Sequence, residues 1–361
     1  MTLTQPGPGG ASLRPLPFSA LSGWGEDDHA AAFAAFLRSA RHNRTAQQSL
    51  RQGLQPDAAL IAAFERALGW DGSPRDFFEI GFQPCAITPP HAADGFVTGY
   101  YEPELQGTLE PHPDYPVPVL ARPPELVTVP QGEAPPSPLD PSLQSYIQTP
   151  NGPQPAPTRA DIEDGAYAGR GLEIAWLRDR VDLFFMHVQG SARLITPEGR
   201  TARLVYAGRN GHPYTSIGKV IVDEGHLPLE RAHLGPLKVW LRTNPVEARR
   251  IMRLNLSSIF FSHDRALDPA DGPIGAAGHS LIPERSIAID RTLWAYGLPF
   301  FIAADLDAPV RRLFIAQDTG SAIVGPARAD LFFGAGEAAG LRAGAVRHTA
   351  SMIVLWPRAA L

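Results

Sequence analysis

Apolar side chains recur at helical spacing in two early stretches. After Asp28, Phe33, Phe36 and Leu37 fall on one face, and Asp28 stands where an N-cap acceptor is needed. After Asp57, Leu60, Ile61, Phe64 and Leu68 share a face, with Asp57 as the cap and Gly69 as the stop. "DFFEIGF" (76–82) continues this helical part. Beyond about residue 90 the texture changes to β-formers, aromatics and turn residues. "VDLFFMHVQGSARLIT" and "RTARLVYAG", separated by "PEGR", predict paired strands. Two short helices follow. Ser216 through Glu224 turns Ile217, Val220 and Ile221 inward, and 244–255 opens with Asn244 as cap and Pro245 in the first turn. "SSIFFS", "SIAID", "LPFFIAAD", "RRLFIAQD" and "ASMIVLWP" then read as short strands, at a spacing that suggests a barrel and not a doubly wound sheet. Residues 111–157, rich in proline, read as one long irregular excursion. No internal repeat is visible.

Composition narrows the classes. The 361 residues suit two domains or one large one, and 44% apolar with 19% charged residues suits a globular core. A net charge of −5 without a basic run gives no footprint for nucleic acid. No apolar run approaches the ~18–20 residues of a membrane span. Cys85 is the only cysteine, which excludes an internal disulfide and a cysteine-based zinc site, and in "FQPCA" it reads as a packed side chain. His226 and His233 read as surface residues, and the sequence offers no metal-ligand set and requires no cofactor. "GAGEAAG" (334–340) has the wrong spacing for a dinucleotide fingerprint and reads as a tight turn into a helix. The opening "MTLTQPGPGGASLRPLP" has no apolar region of an export signal and reads as a disordered leader.

Candidate chemistry lies late in the chain. Asp318-Thr319-Gly320-Ser321 is the tetrapeptide of aspartic proteases, which need two carboxylates sharing one proton. A chain of this length would carry a second such motif, and it has none. Asp71-Gly72-Ser73 lacks the middle residue and follows a helix end. Gln317 is polar where the protease loop packs a hydrophobic residue, so the peptidase reading is set aside. Asp290 closes "SIAID" and Asp330 opens "DLFFGAGEAAG"; barrel closure would gather them with Asp318. Taken singly, each reads better as a strand-end acceptor for turn hydrogen bonds than as a catalytic group.

"GFVTGYYEPEL", "FFMHVQGSARL", "GHPYTSIGK", "IMRLNLSSIFF", "PERSIAIDRTL", "IAQDTGSAIVGPARADLFFGAGEAAG" and "MIVLWP" run in order from about residue 75 to the C-terminus. Together they resemble the membrane-bound lytic murein transglycosylase A family. The last part resembles its 3D domain, named for three aspartates, which match Asp290, Asp318 and Asp330. The resemblance implies a mainly β fold. A double-psi β-barrel domain (1–103 with 266–361, including the N-terminal helices) would carry an inserted, smaller β domain (104–265) and a few peripheral helices. It implies a peptidoglycan lytic exotransglycosylase that cleaves the β-1,4 bond between N-acetylmuramic acid and N-acetylglucosamine without water, leaving 1,6-anhydro ends. Asp330 would be the catalytic acid and base, with Asp318 and Asp290 as neighbours shaping the site. Thr98, Tyr100, Tyr101, Gln189, Ser191, Tyr214 and Lys219 are the candidates for contact with glycan. Strand alternation puts Tyr100 and Tyr101 on opposite faces, so only one of them would touch sugar. The implied partners are peptidoglycan strands and a cell-wall synthesis complex, in the periplasm or at the outer membrane of a Gram-negative bacterium. The family's export signal and lipid-bearing cysteine have no match here. A rival reading is a non-catalytic peptidoglycan-binding barrel, against which the presence of all three aspartates argues.

Overall fold

Asp28, Asp57 and Ser73 each accept a backbone N–H from three residues on, at 3.0, 2.8 and 3.0 Å, and each starts a helix. These helices are α1 (His29–Arg44), α2 (Ala58–Leu68) and α3 (Pro74–Gly81). The structure is a computed structural model describing residues 4–45, 47–130, 132–264, 272–306 and 308–358. The Asp71-Gly72-Ser73 stretch thus serves as the cap of α3. Strands β1 (Gln5–Pro6) and β2 (Ser12–Pro15) pair with each other, and β2 pairs with β3 (Phe82–Thr88); β4 (Gly95–Glu102) follows. This corrects the expectation of a disordered leader. From residue 5 the segment is held by the β2–β3 ladder and by Ala11 and Leu13, which are buried in the core. The anchors are two small apolar side chains hidden among prolines and glycines.

Contacts divide the chain into two units. Unit 1 comprises Met1–Tyr101, Asp268–Gly334 and Ala345–Leu361; unit 2 comprises Glu102–Leu267 and Ala335–Gly344.

Unit 2 contains β5 (Glu104–Thr108), β6 (Val117–Leu120), β7 (Leu126–Thr128), β8 (Ser145–Thr149), β9 (Gly152–Pro155), β10 (Glu173–Leu177), β11 (Ser191–Ile195), β12 (Thr201–Arg209) and β13 (Ile259–Asp264). They form a six-stranded sheet, β13-β12-β11-β5-β10-β6, and a three-stranded sheet, β7-β8-β9. The proline-rich stretch is therefore partly strand. Its prolines are tolerated because β6 and β9 are edge strands, where a missing N–H leaves no ladder bond unmade.

Helices α4 (Arg159–Glu163), α5 (Arg180–Gln189), α6 (Ile217–Asp223), α7 (Leu234–Thr243) and α8 (Pro245–Leu254) complete the insertion. The expected strand over 181–189 is α5. Asp179 caps it by accepting the Asp182 N–H at 2.7 Å, and Gly190 closes it in the left-handed region at φ 84°. Val181, Phe184 and Phe185 follow helical spacing and share a core with Ile217, Leu241 and Ile251. The "PEGR" hairpin forms as expected, with Ile195 opposite Thr201.

The chain returns to unit 1 through β14 (Ser286–Ile289), β15 (Pro299–Ala304), β16 (Val310–Asp318) and β17 (Arg328–Ala335), gives α9 (Gly336–Gly344) to unit 2, and ends in unit 1 with β18 (Arg347–Pro357). The order β18-β15-β16-β14-β17-β4, with β4 pairing back onto β18, closes a six-stranded ring. Phe300, Phe314, Ile315 and Leu355 fill its core together with Phe36 of α1. The Phe36 ring lies 5.2–6.0 Å from those of Phe64, Phe77, Phe78 and Phe82, so the helices are welded to the sheet by aromatic contacts. Cys85 is buried opposite Val354, and burial pushes its thiol up, which leaves it an inert packed side chain. No helix among the described residues is long and apolar enough to cross a membrane.

Candidate active site

Strand β14 runs parallel to β16 on one side and antiparallel to β17 on the other. Its Ala288 is in register with both Asp318 and Asp330. Ladder pairing thus brings two carboxylates to flank one small residue, with their Cα atoms two strand spacings apart, about 10 Å. The β14–β16 register slips between Ile287 and Ala288, so that Ala288 faces Asp318 instead of Gln317. Gln317 is turned inward and fully buried. It accepts from Ser286 Oγ at 2.5 Å and donates to Ala35 O and Ser39 Oγ at 2.8 and 2.9 Å. The polar residue that argued against a protease loop is the bulge that aims Asp318.

Two alternate residues of β4 serve the pair. Thr98 Oγ1 donates to Asp330 Oδ1 at 2.5 Å and accepts from Arg328 Nη2 at 2.7 Å. Tyr100 donates its hydroxyl to Asp318 Oδ2 at 2.8 Å, and its ring lies 5.2 Å from Phe332. Asp318 Oδ1 also receives the backbone N–H groups of Ala276 and Thr319, at 2.8 and 2.9 Å.

The two carboxylates therefore differ. Burial raises Asp330 to about 6; the Thr98 hydrogen bond and Arg328 pull it down, and the charge of Asp318 pushes it up. Burial also raises Asp318, but its three donors favour the ionised form. Burial, then Asp318, push the Tyr100 phenol well above its usual 10, which keeps it a donor. Burial raises both carboxyls, and they differ in what opposes it: one side-chain donor on Asp330 and three donors on Asp318.

The other predicted residues are placed as follows. Asp290 lies just past β14 and accepts from Thr292 N, Thr292 Oγ1 and Gly325 N at 3.0, 2.6 and 2.8 Å. Its carboxylate is a staple for the turn that follows β14. Tyr101 is buried, 7% exposed, and does not share the face of Tyr100. Gln189, Ser191, Tyr214 and Lys219 belong to unit 2. Gln189 ends α5, Ser191 begins β11 and is buried, Tyr214 is exposed, and Lys219 is exposed and paired with Asp223. His226 stands with Glu224 and Glu247 close enough to ligate a cation, but Arg250 donates to both carboxylates and supplies the positive charge itself. Sequence reading missed Arg328 and the Ala276 N–H. Arg328 had a signal, since it sits two residues before Asp330 on the same strand face. A backbone donor has none.

Comparison with known proteins fits this geometry. A family model described as the MltA specific insert domain matches residues 96–262, and one described as the 3D domain matches residues 285–356. The crystal structure of a membrane-bound lytic murein transglycosylase from Agrobacterium tumefaciens aligns with a TM-score of 0.87 and 40% identity, over 96% of this chain and 98% of that one. The chain belongs to the MltA family. Among curated MltA relatives, the membrane-bound lytic murein transglycosylase A of Vibrio cholerae is 36% identical over 203 residues, 53% of this chain and 54% of that protein. The Escherichia coli (strain K12) protein of the same name is 29% identical over 268 residues, 72% of this chain and 64% of its own length. The chain thus spans about half to two-thirds of the length of these curated MltA proteins. The MltA insert match contains Thr98 and Tyr100, and the 3D match contains Asp290, Asp318 and Asp330.

Proposed function

We propose that this chain is a lytic transglycosylase of peptidoglycan, cleaving the β-1,4 bond from N-acetylmuramic acid to N-acetylglucosamine and leaving 1,6-anhydro ends. The observation that carries the reading is the asymmetric pair beside Ala288: Asp330 is pushed to about 6 with one side-chain donor, while Asp318 has three donors. The protonated Asp330 delivers its proton to the bridging oxygen as the C1–O bond breaks, and the electron pair leaves with that oxygen. The resulting carboxylate takes the proton of the C6 hydroxyl as O6 closes on C1. A tethered nucleophile needs neither a second carboxylate to activate water nor a covalent intermediate, and its entropic cost is largely prepaid. Ionised Asp318 stabilises positive charge developing at the anomeric centre.

In this reading Thr98 orients the acid and Tyr100 holds its neighbour, while Gln189, Ser191, Tyr214 and Lys219 contribute glycan contacts. Buried Tyr101 supports the strand instead of touching sugar. The closed ring is read as a double-psi barrel, and the cell-wall location, periplasmic or at the outer membrane, follows from the substrate and from relatives named membrane-bound. Digestion of purified sacculi with mass analysis of the products tests the proposal. Ends lighter than reducing ends by one water are expected; reducing ends would make the chain a hydrolase, and release of nothing would make it a binding module.

A further inference from the structure

We infer that a cavity of about 460 Å³ in unit 1, outside the aspartate pair, is an accessory site for one uncharged N-acetylated sugar. The choice of a sugar rests on the peptidoglycan reading; the choice of an uncharged, amide-bearing ligand rests on the wall itself. The volume lies within the ~300–1,000 Å³ usual for small-molecule sites. Asn43, Gln47, Gln48, Gln52 and Gln55 bring amides that both donate and accept, as acetamido and hydroxyl groups require. Tyr296, half-buried, gives ring surface for the apolar face of a sugar, with buried Phe64 packed beneath the wall. Among the described residues no carboxylate, lysine or arginine lines the cavity; the nearby Arg51 and Arg291 donate to the Thr319 and Gln52 carbonyls, so an anionic stem peptide would have to compete with those bonds. Its two histidines are held neutral by burial, His279 down at about 4 and His42 below its ordinary value.

The wall is built. The Arg51 N–H donates to Ala276 O at 3.1 Å, the Leu54 N–H to Arg291 O at 3.0 Å and the Tyr296 hydroxyl to Arg51 O at 3.1 Å. At Gly278, φ +96°, any Cβ would come within 2.7 Å of the His42 ring, so only glycine lets this wall close. Ala276 also links the cavity to the candidate active site: its carbonyl holds the cavity loop, and its N–H donates to Asp318. A sugar seated against residues 47–55 therefore steadies one of the donors that favour the ionised form of Asp318.

The test is a titration of the full chain with free N-acetylglucosamine, followed by the NMR signals of backbone and side-chain amides, with cationic glucosamine as the control. Saturable shifts at Gln48, Gln52 and residues 276–279 are expected. They should be at least tenfold weaker in affinity for glucosamine and for a Gln48→Ala/Gln52→Ala variant, whose exposed positions leave the melting temperature unchanged. Shifts confined to residues 96–101 and 328–331, absence of shifts, or equal binding by the variant would each overturn the inference. Digestion of sacculi by the same protein reports on the proposed function separately. Cleavage without shifts at the cavity refutes only this site, and shifts without cleavage refute only the proposed reaction.

Discussion

Asp330 and Asp318 are the same residue type on neighbouring strands, and their surroundings alone divide their roles. The folded Asp330 binds its proton more tightly than an unfolded chain does, near 6 against an ordinary 3.8. Its contribution to stability is therefore full below about pH 4 and is lost as pH rises through 6. At pH 8 the buried charge costs roughly 3 kcal/mol, taking 1.36 kcal/mol per unit. Asp330→Asn keeps the acceptor for Thr98 and removes that charge. It should lower release from sacculi by roughly 10²–10⁴-fold while raising unfolding free energy in urea by up to about 3 kcal/mol at pH 8 and by nothing at pH 3.5. Equal stability gains at both pH values would contradict the buried-acid assignment. Thr98 supplies the hydrogen bond that pulls this acid down, so Thr98→Val should move the alkaline limb of the pH–rate profile upward, and Thr98→Ser should restore it. Much of this was legible in the sequence, because Thr98, Tyr100, Asp318 and Asp330 stand in motifs. For Asp290 the reading as a strand-end acceptor of turn hydrogen bonds was legible, but its Gly325 partner was not, since that depends on where Gly325 lies in space.

At the level of elements, reading succeeded where a local signal was sufficient and failed where two periods competed. The caps Asp28 and Asp57 and the stop at Gly69 marked α1 and α2 correctly. In "VDLFFMHVQGS" a continuous apolar run hid the helical period, although Asp179 and Gly190 bracket it as cap and stop. The proline-rich stretch hid strands because edge positions, which exempt proline from the ladder, are set by distant partners. One such tertiary constraint sits at Gly211, φ +86°. A Cβ there would lie 2.2 Å from Ser145 N and 2.5 Å from Ser145 O, both backbone atoms of β8, while Gly211 O accepts the Gln144 N–H at 3.0 Å. Relief requires β8 to move. Gly211→Ala should therefore cost about 3 kcal/mol, combining left-handed strain with overpacking. Amide exchange of Ser145–Thr149 should accelerate before that of β11 and β12. Unchanged protection of β8 would show that the backbone there yields easily.

For the whole chain, the deciding fact is that the candidate site is assembled from segments far apart in sequence. Thr98 and Tyr100 come from the first segment of unit 1, the aspartates come from the segment after the insertion, and β18 at the C-terminus pairs with β15, β3 and β4. Such pairings leave no mark on local hydrophobic pattern; the spacing of short strands suggested a barrel, and the order of motifs carried the resemblance that joined its distant segments. The topology makes β18 the strand that closes the ring. Removing residues 347–361 takes Met352, Ile353, Val354 and Leu355 out of the core. At ~1.5–3 kcal/mol for each buried side chain the loss is about 6–12 kcal/mol, as large as the whole stability of a typical domain, ~5–15 kcal/mol. The truncated chain should lose the near-ultraviolet circular dichroism of buried Trp294 and the cooperative melting of unit 1, along with all activity on sacculi. Retention of that signal would mean that β4 and β15 find another partner, and that closure by β18 is not what holds Thr98 against Asp330.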